Sequence, residues 1–279
     1  MNLRTRTLPL VLVTCLFAAN PARALVIKNF SDATDSRFTS NTSYSSWIDT
    51  GPANPTFDLA AYDFSGVGWR YNSTDATASR QAVALVSARY ALTAWHVAPA
   101  VTESVRFRTT SGSVFTYDID TVTRIGTTDL AVIRLDANVA SGINFLPVLD
   151  LGSDWIGEDL VLYGRGSPGD YTSHRTGSGT VDFVSEETVS GSTGWTLKSR
   201  YLTGSAVTGQ AYFQTGDSGS PMLAIHSGGL ALAGINWAVA SGTGYYDSIA
   251  TRVADYGTSI DAILSADGQS LSVVPEPAT

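Results

Sequence analysis

The sequence predicts an all-β fold of short strands, arranged as a barrel or a sandwich, with one helix near the C-terminus. The composition is rich in glycine (26 of 279 residues) and poor in charge (15%), which suits strands and turns better than helical bundles. Apolar runs with β-branched residues recur between Gly, Ser, Asn and Asp, several of them about ten residues apart. Only one late segment has helical periodicity.

The chain divides into an extension, a strand-rich body and a tail. Residues 25–65 are polar and turn-rich, so we expect a segment that wraps the core, followed by a first strand in FSGVGWRY (64–71). Further strands are expected over 81–94, 104–110, 114–125, 129–136, 158–166, 179–185, 194–202, 220–225 and 230–239.

The helix is expected within residues 251–266, where apolar residues fall at spacings of three and four. Gly257 weakens its first turn, so the regular part should begin near Thr258. Residues 267–279 are polar and interrupted by proline, which predicts a flexible tail.

The first 24 residues have the pattern of a secretory signal peptide. Arg4 and Arg6 precede an apolar run over 8–19, and the small residues of Ala22-Arg23-Ala24 suit signal cleavage. The run is too short to span a membrane comfortably, which favours cleavage over an anchor and predicts no stable membrane insertion. The sole cysteine lies inside this segment, so the mature chain is expected to hold together without disulfides.

The charge balance bears on partners. The formal net charge is −8, and it becomes −11, with 14 basic and 25 acidic residues, once the three arginines of the signal are removed. Such a surface repels phosphate backbones, so nucleic acid is not an expected partner. His174 and His226 fall on an expected loop and an expected hairpin, and no cluster has metal-ligand spacing. No metal and no cofactor are therefore expected.

Three polar residues stand beside predicted strands. His96 follows a strand in ALTAWHVAPA, Asp129 opens one in IGTTDLAVIRLD, and Ser218 lies in the glycine-flanked turn TGDSGSP. Singly, each suits an ordinary buried histidine, a strand cap or a turn. Together they suit nucleophilic catalysis, because a histidine can take the serine proton while a carboxylate fixes the histidine tautomer. The glycines would let the N–H groups of Gly216 and Ser218 face an oxyanion. Ser220 breaks the Gly-x-Ser-x-Gly elbow of α/β-hydrolases.

The order His, Asp, Ser, with LTAWH, TDLAVIRL and GDSGSP, resembles the trypsin/chymotrypsin-like serine proteases. GINWAV (234–239) and residues 244–264 are similar to that family's closing strands and helix. The resemblance covers 66–264 and implies a peptidase domain over 25–266, built of two antiparallel six-stranded β-barrels. It implies that Ser218 attacks a peptide carbonyl, His96 moves the proton and Asp129 orients His96, with an acyl-enzyme intermediate.

The resemblance also suggests substrate-binding residues, namely Tyr212, Asn236, Trp237 and Ala238. Tyr212 stands at the floor of the first specificity pocket, where trypsin has an aspartate, so no preference for Arg or Lys is expected. Asp170, Asp182 or Asp247 could supply a charge instead. Trp95 replaces an alanine before the histidine, and Asn236 replaces a serine that supports the carboxylate in many members.

Asp217 raises the question of activation. In the family that this sequence resembles, the aspartate before the serine, here Asp217, pairs with a new N-terminal amine. Cleavage after Ala24 would expose Leu25 in LVIKN, which is similar to the family's Ile-Val-Gly-Gly start. The alternative is that local groups hold Asp217, as in members without this switch.

The tail ends in VPEPAT (274–279), which resembles the start of the PEP-CTERM sorting signal of certain Gram-negative bacteria; the alternative is a frayed proline-rich end. The sequence thus predicts a bacterial serine endopeptidase that is secreted, periplasmic or at the cell surface. Its expected partners are polypeptide substrates and sorting machinery that recognises the tail. The alternative is a catalytically silent homologue that binds proteins or peptides.

Overall fold

The structure is a computed structural model that describes residues 25–39, 53–72, 81–165 and 174–275. The predicted signal peptide and residues 276–279 lie outside this part of the chain. Within it, the all-β prediction with a C-terminal helix is confirmed. None of the helices in the described ranges is long and apolar enough to cross a membrane.

The strands and helices are numbered here along the chain. The strands are β1 (Val26–Ile27), β2 (Val67–Tyr71), β3 (Ala82–Leu85), β4 (Tyr90–Ala94), β5 (Ser104–Arg108), β6 (Val114–Arg124), β7 (Leu130–Leu135), β8 (Val148–Asp150), β9 (Asp159–Arg165), β10 (His174–Thr180), β11 (Phe183–Val189), β12 (Ser192–Leu202), β13 (Ala211–Tyr212), β14 (Pro221–His226), β15 (Gly229–Gly242), β16 (Tyr245–Arg252) and β17 (Val273–Pro275). The α-helices are α1 (Asp32–Asp35) and α2 (Gly257–Leu264).

The first half is a closed barrel in the order β2-β3-β4-β7-β6-β5. The long apolar run 81–94 divides into β3 and β4, which are buried along their whole length and pair as a hairpin. β6 instead alternates over much of its length, with Tyr117 and Ile119 buried between exposed neighbours, as expected for a strand with one face in water. Phe107 and Ile133 are fully buried inside this barrel.

The second half is a nine-stranded sheet with the main order β10-β9-β14-β15-β16-β12-β11, beside which β8 and β17 pair. It curls so that β10 approaches β12, where the Thr180 N–H donates to Ser199 Oγ (3.2 Å). The sheet exceeds the six strands of the resemblance partly because a tight hairpin adds β11. Ser190 and Gly191 both have positive φ (51° and 81°), which suits a two-residue turn between twisted strands.

The extension that precedes the first barrel lies against the second sheet. β1 pairs with β13, and the Arg37 N–H donates to the His174 carbonyl (2.7 Å). Asn54 holds the segment together, because its amide donates to three backbone carbonyls, at Asp32, Ala33 and Ser36 (2.8–3.1 Å).

The C-terminal segment ties the two halves together. α2 begins at Gly257, next to the expected start, and its buried Ile260 packs in one core with Leu92 of the first barrel and Leu223 of the second sheet. We expected a flexible tail from residue 267. Part of that segment instead forms strand β17, which pairs in parallel with β8. Its backbone gains strand hydrogen bonds there, which the polar composition of the tail did not reveal.

Candidate active site

Strand register brings His96 next to Asp129. Ala94 at the end of β4 pairs with Leu130 at the start of β7, so the residues just beyond that pair are neighbours. After β4 the chain enters a short 3₁₀ turn over Trp95–Val97. The Trp95 N–H donates to the Asp129 carbonyl (3.0 Å).

The Asp129 carboxylate is bound by His96 through both of its oxygens. The backbone N–H of His96 donates to Oδ1 (2.9 Å), and the imidazole Nδ1 lies 2.6 Å from Oδ2. Asp129 is 1% exposed. Because the buried carboxylate is an acceptor, we assign the ring proton to Nδ1, which leaves Nε2 unprotonated and directed away from Asp129.

Ser218 lies on the other side of the imidazole. Its Oγ is 2.9 Å from His96 Nε2, so Asp129, His96 and Ser218 form one continuous chain of hydrogen bonds. The turn that carries Ser218 requires glycine at position 219. Gly219 has φ +83°, and a Cβ there would lie 2.4 Å from Thr93 Oγ1. The turn that carries Ser218 is thereby packed directly onto β4 of the first barrel.

Two backbone N–H groups at the Ser218 turn are candidates for binding an oxyanion. Gly216 has φ +106°, a conformation that glycine adopts without strain. Within the described ranges, neither Gly216 N–H nor Ser218 N–H donates to another group of the protein, whereas the Asp217 N–H between them bonds the Gln214 carbonyl (3.0 Å). These are the two donors expected to face an oxyanion.

Asp217 and Leu25 lie on the same side of Gly164. A Cβ added at Gly164 would be 2.9 Å from Asp217 Oδ1, 3.3 Å from the Leu25 backbone nitrogen and 2.6 Å from Leu25 Cβ. Both residues are 1% exposed. The pairing of Val26 with Tyr212 places the residues next to Leu25 beside the strand that leads toward the Ser218 turn. The expected neighbours Asp217 and Leu25 are therefore brought together.

The expected specificity residues are largely buried. The Tyr212 ring is stacked on Tyr246 (4.2 Å between centroids, 7° between planes) and packs against Tyr201 (4.8 Å). Burial raises the pKa of Tyr212 to about 12. Trp237 is 5% exposed and Ala238 is partly exposed. Tyr201 and Tyr246 were not recognised from the sequence, because only the register of β12 with β16 shows that they pair.

The remaining expected residues have other partners. Asn236 is 1% exposed, and its Nδ2 donates to the Asp217 carbonyl (2.9 Å). Asp247 accepts two hydrogen bonds from Arg200 (2.7 and 2.8 Å), and Asp182 accepts from the Arg200 N–H (2.6 Å). Asp170 lies outside the described residues. Across the described ranges, no group of three or more His, Cys, Asp or Glu is placed to hold a metal ion.

Comparisons with known proteins agree on one fold. The family model described as Trypsin matches residues 70–260. Human heparin binding protein is similar in structure with TM-score 0.53 and 20% identity, covering 77% of this chain and 96% of that chain. The MamO protease domain from Magnetospirillum magneticum (apo form) is similar with TM-score 0.51 and 18% identity, covering 70% of this chain and 95% of that chain. No curated protein sequence matches the chain.

Proposed function

Because the chain belongs to the trypsin family, we propose that it is an exported serine endopeptidase that works through His96, Asp129 and Ser218. The observation that carries the proposal is the hydrogen-bond chain, with 2.6 Å from Asp129 Oδ2 to His96 Nδ1 and 2.9 Å from His96 Nε2 to Ser218 Oγ. This geometry supports a serine activated by a general base whose orientation a buried carboxylate holds.

These contacts support a two-stage hydrolysis. His96 Nε2 takes the hydroxyl proton as Ser218 Oγ bonds to the scissile carbonyl carbon, and the carbonyl oxygen becomes an oxyanion. The N–H groups of Gly216 and Ser218 are suited to bind that oxygen. His96 then gives its proton to the leaving amine as the C–N bond breaks. A water then attacks the acyl carbon as His96 takes its proton, and His96 returns that proton to Ser218 Oγ as the acyl C–O bond breaks, which restores the serine.

A fluorophosphonate probe tests this function directly, because it reacts with an activated serine. We expect the purified mature protein to be labelled and the Ser218→Ala variant to remain unlabelled. Ser205→Ala, which changes a partly exposed loop serine, is a matched control and should be labelled like the wild type. An unlabelled wild type that also cleaves no peptide library would favour the silent homologue, a protein that uses the same cleft for binding.

The tyrosine cluster supports a preference for small or medium apolar residues before the cleaved bond. Tyr212 stands at the expected pocket floor, and the Tyr246 ring is stacked on the Tyr212 ring. Neither ring offers a carboxylate to an Arg or Lys side chain. A peptide library read by mass spectrometry should therefore show cleavage after small apolar residues, and Tyr212→Ala should shift the preference toward larger ones. Cleavage mainly after Arg or Lys would contradict this specificity.

We propose further that signal cleavage activates the enzyme by freeing the Leu25 amine. The Leu25 nitrogen and Asp217 Oδ1 approach the same point beside Gly164, and an ammonium there would face a buried carboxylate. Protein that carries one extra alanine before Leu25 should lose activity, because its amine no longer reaches that point. Full activity of the extended protein would favour local stabilisation of Asp217 instead.

Export and sorting are tested in the cell. A bacterial host should process the precursor after Ala24, and a fusion that ends in VPEPAT followed by a membrane segment and basic residues should be processed only where a sorting enzyme for this signal is present. An unprocessed precursor would contradict export, and processing without the sorting enzyme would contradict recognition of the tail.

A further inference from the structure

Asn236 holds the nucleophile turn on both sides of Ser218. Its backbone N–H donates to the Ser220 carbonyl (2.8 Å), and its carbonyl accepts from the Gly219 N–H (3.0 Å). Its side-chain Nδ2 donates to the Asp217 carbonyl (2.9 Å). One residue of β15 thus makes three hydrogen bonds to the four-residue stretch 217–220. The side-chain bond is the one made to the residue immediately before Ser218.

The side-chain bond acts on the peptide that links Asp217 to Ser218. The carbonyl of that peptide accepts from Asn236, and the N–H of the same peptide is one of the two donors available to an oxyanion. A peptide is planar, so holding its oxygen also sets the direction of its N–H. Donation to the carbonyl also polarises the peptide and strengthens its N–H as a donor.

The surroundings fix the orientation of the Asn236 amide. Asn236 is 1% exposed, and a carbonyl oxygen turned toward the Asp217 carbonyl would oppose two acceptors, so Nδ2 must face it. Within the described residues, Oδ1 of Asn236 has no hydrogen-bond partner, and Asp129 is bonded by His96 without a bond from Asn236. The amide therefore supports the turn that carries Ser218. The family resemblance instead suggests support of the Asp129 carboxylate.

We propose that Asn236 is a positioning residue that orients and polarises the Ser218 N–H of the oxyanion hole. The inference rests on the proposed peptidase function and assigns Asn236 no contact with the reacting atoms. It acts on the transition state more than on the bound substrate, because the oxyanion exists only after attack.

The test compares variants at two buried positions of neighbouring strands, β15 and β16, in the mature protein. Asn236→Leu keeps the approximate volume and removes the donor, and Asn236→Asp keeps the shape but turns a carboxylate toward the Asp217 carbonyl. Thr251→Val is the matched control, since Thr251 is fully buried on β16 beside Ala250, the register partner of Asn236. Steady-state kinetics on a peptide substrate is paired with inhibition by a peptidyl trifluoromethyl ketone, whose adduct places an oxyanion in the hole.

We expect both Asn236 variants to lose roughly 10–100-fold in kcat with KM within about twofold, somewhat less than removal of an oxyanion donor itself. The inhibition constant should rise by the same factor as kcat falls, and Thr251→Val should match the wild type. Wild-type values of kcat and inhibition constant in the folded Asn236 variants would overturn the inference alone.

Three other outcomes also count against it. A rise in KM without loss of kcat would assign Asn236 to ground-state binding. An equal loss of kcat in Thr251→Val would show that the effect comes from disturbed core packing. An inert wild type, unlabelled by fluorophosphonate, would remove the proposed function and the inference with it. If Asn236→Leu fails to fold, as judged by its thermal transition, Asn236→Asp decides the question.

Discussion

Gly164→Ala probes the contact between Leu25 and the turn that carries Ser218 without substituting any residue of that contact. The new Cβ would lie 2.6 Å from Leu25 Cβ and 2.9 Å from Asp217 Oδ1, both shorter than van der Waals contact. Gly164 lies in β9 with an ordinary φ, so the substitution adds volume without backbone strain. Leu25 must move away, or the turn that carries Asp217 must shift.

The expected size of the effect follows from two opposing terms. Burying the Leu25 side chain stabilises its inserted position by about 1.5–3 kcal/mol. Overpacking by one methyl group costs about 1–3 kcal/mol, which is comparable. The inserted state then loses most of its advantage, and we expect half or less of the Gly164→Ala molecules to be competent.

The assay is the initial rate of fluorophosphonate labelling together with the acyl-enzyme burst on an activated ester. Both should fall at least about twofold in Gly164→Ala, by the competent fraction argued above. Gly229→Ala is the matched control, because a Cβ on that strand glycine meets no atom within 4 Å. Labelling and burst equal to the wild type would refute the view that Leu25 and Asp217 act through this contact.

Three further predictions concern single groups. Asp129→Asn should lower kcat about 10⁴-fold with little change in KM, measured by steady-state kinetics, because an amide favours the wrong tautomer of His96. Hydrogen bonds from Arg134 lower the pKa of Asp267 to about 2, so the stability that this pair contributes is lost as pH falls from about 4 to 2. Asp267→Asn should flatten that part of an acid-unfolding curve, and an unchanged curve would contradict it. Burial raises the pKa of Tyr212 to about 12, so the free energy of unfolding should fall as pH rises from 10 to 12, and less so in Tyr212→Phe.

The three residues of the proposed triad could be singled out because each lies in a short, informative stretch. His96 and Asp129 stand beside apolar strands, and Ser218 lies in a glycine-rich turn, so residue type and local pattern marked them as candidates, and the family resemblance suggested their roles. The fold class followed from strand spacing and composition, and the family model agrees with it. What the pattern could not supply was the 2.9 Å approach of His96 to Ser218, which depends on packing between the two halves.

The features that escaped prediction depend on register between distant strands. Tyr246 faces Tyr212 only because β16 pairs with β12 in one register, in which Tyr201 opposes Tyr246. A shift of one residue would turn Tyr246 to the other face. The pairing of β17 with β8 escaped for a similar reason, since backbone hydrogen bonds leave no signal in side-chain composition.

Asp217 connects the proposed activation to the proposed oxyanion hole, and this connection can be measured. The Asp217 side chain lies near Leu25 beside Gly164, and the Asp217 carbonyl accepts a hydrogen bond from Asn236. Leu25 and Asn236 therefore both act on Asp217, whose peptide group carries the Ser218 N–H. Perturbations of residues with a shared partner are not additive. Once Gly164→Ala has shifted the turn, loss of the Asn236 donor has less left to disturb. The double variant with Asn236→Leu should therefore lose less activity than the product of the two single losses, and strict additivity would show that the two contacts act independently.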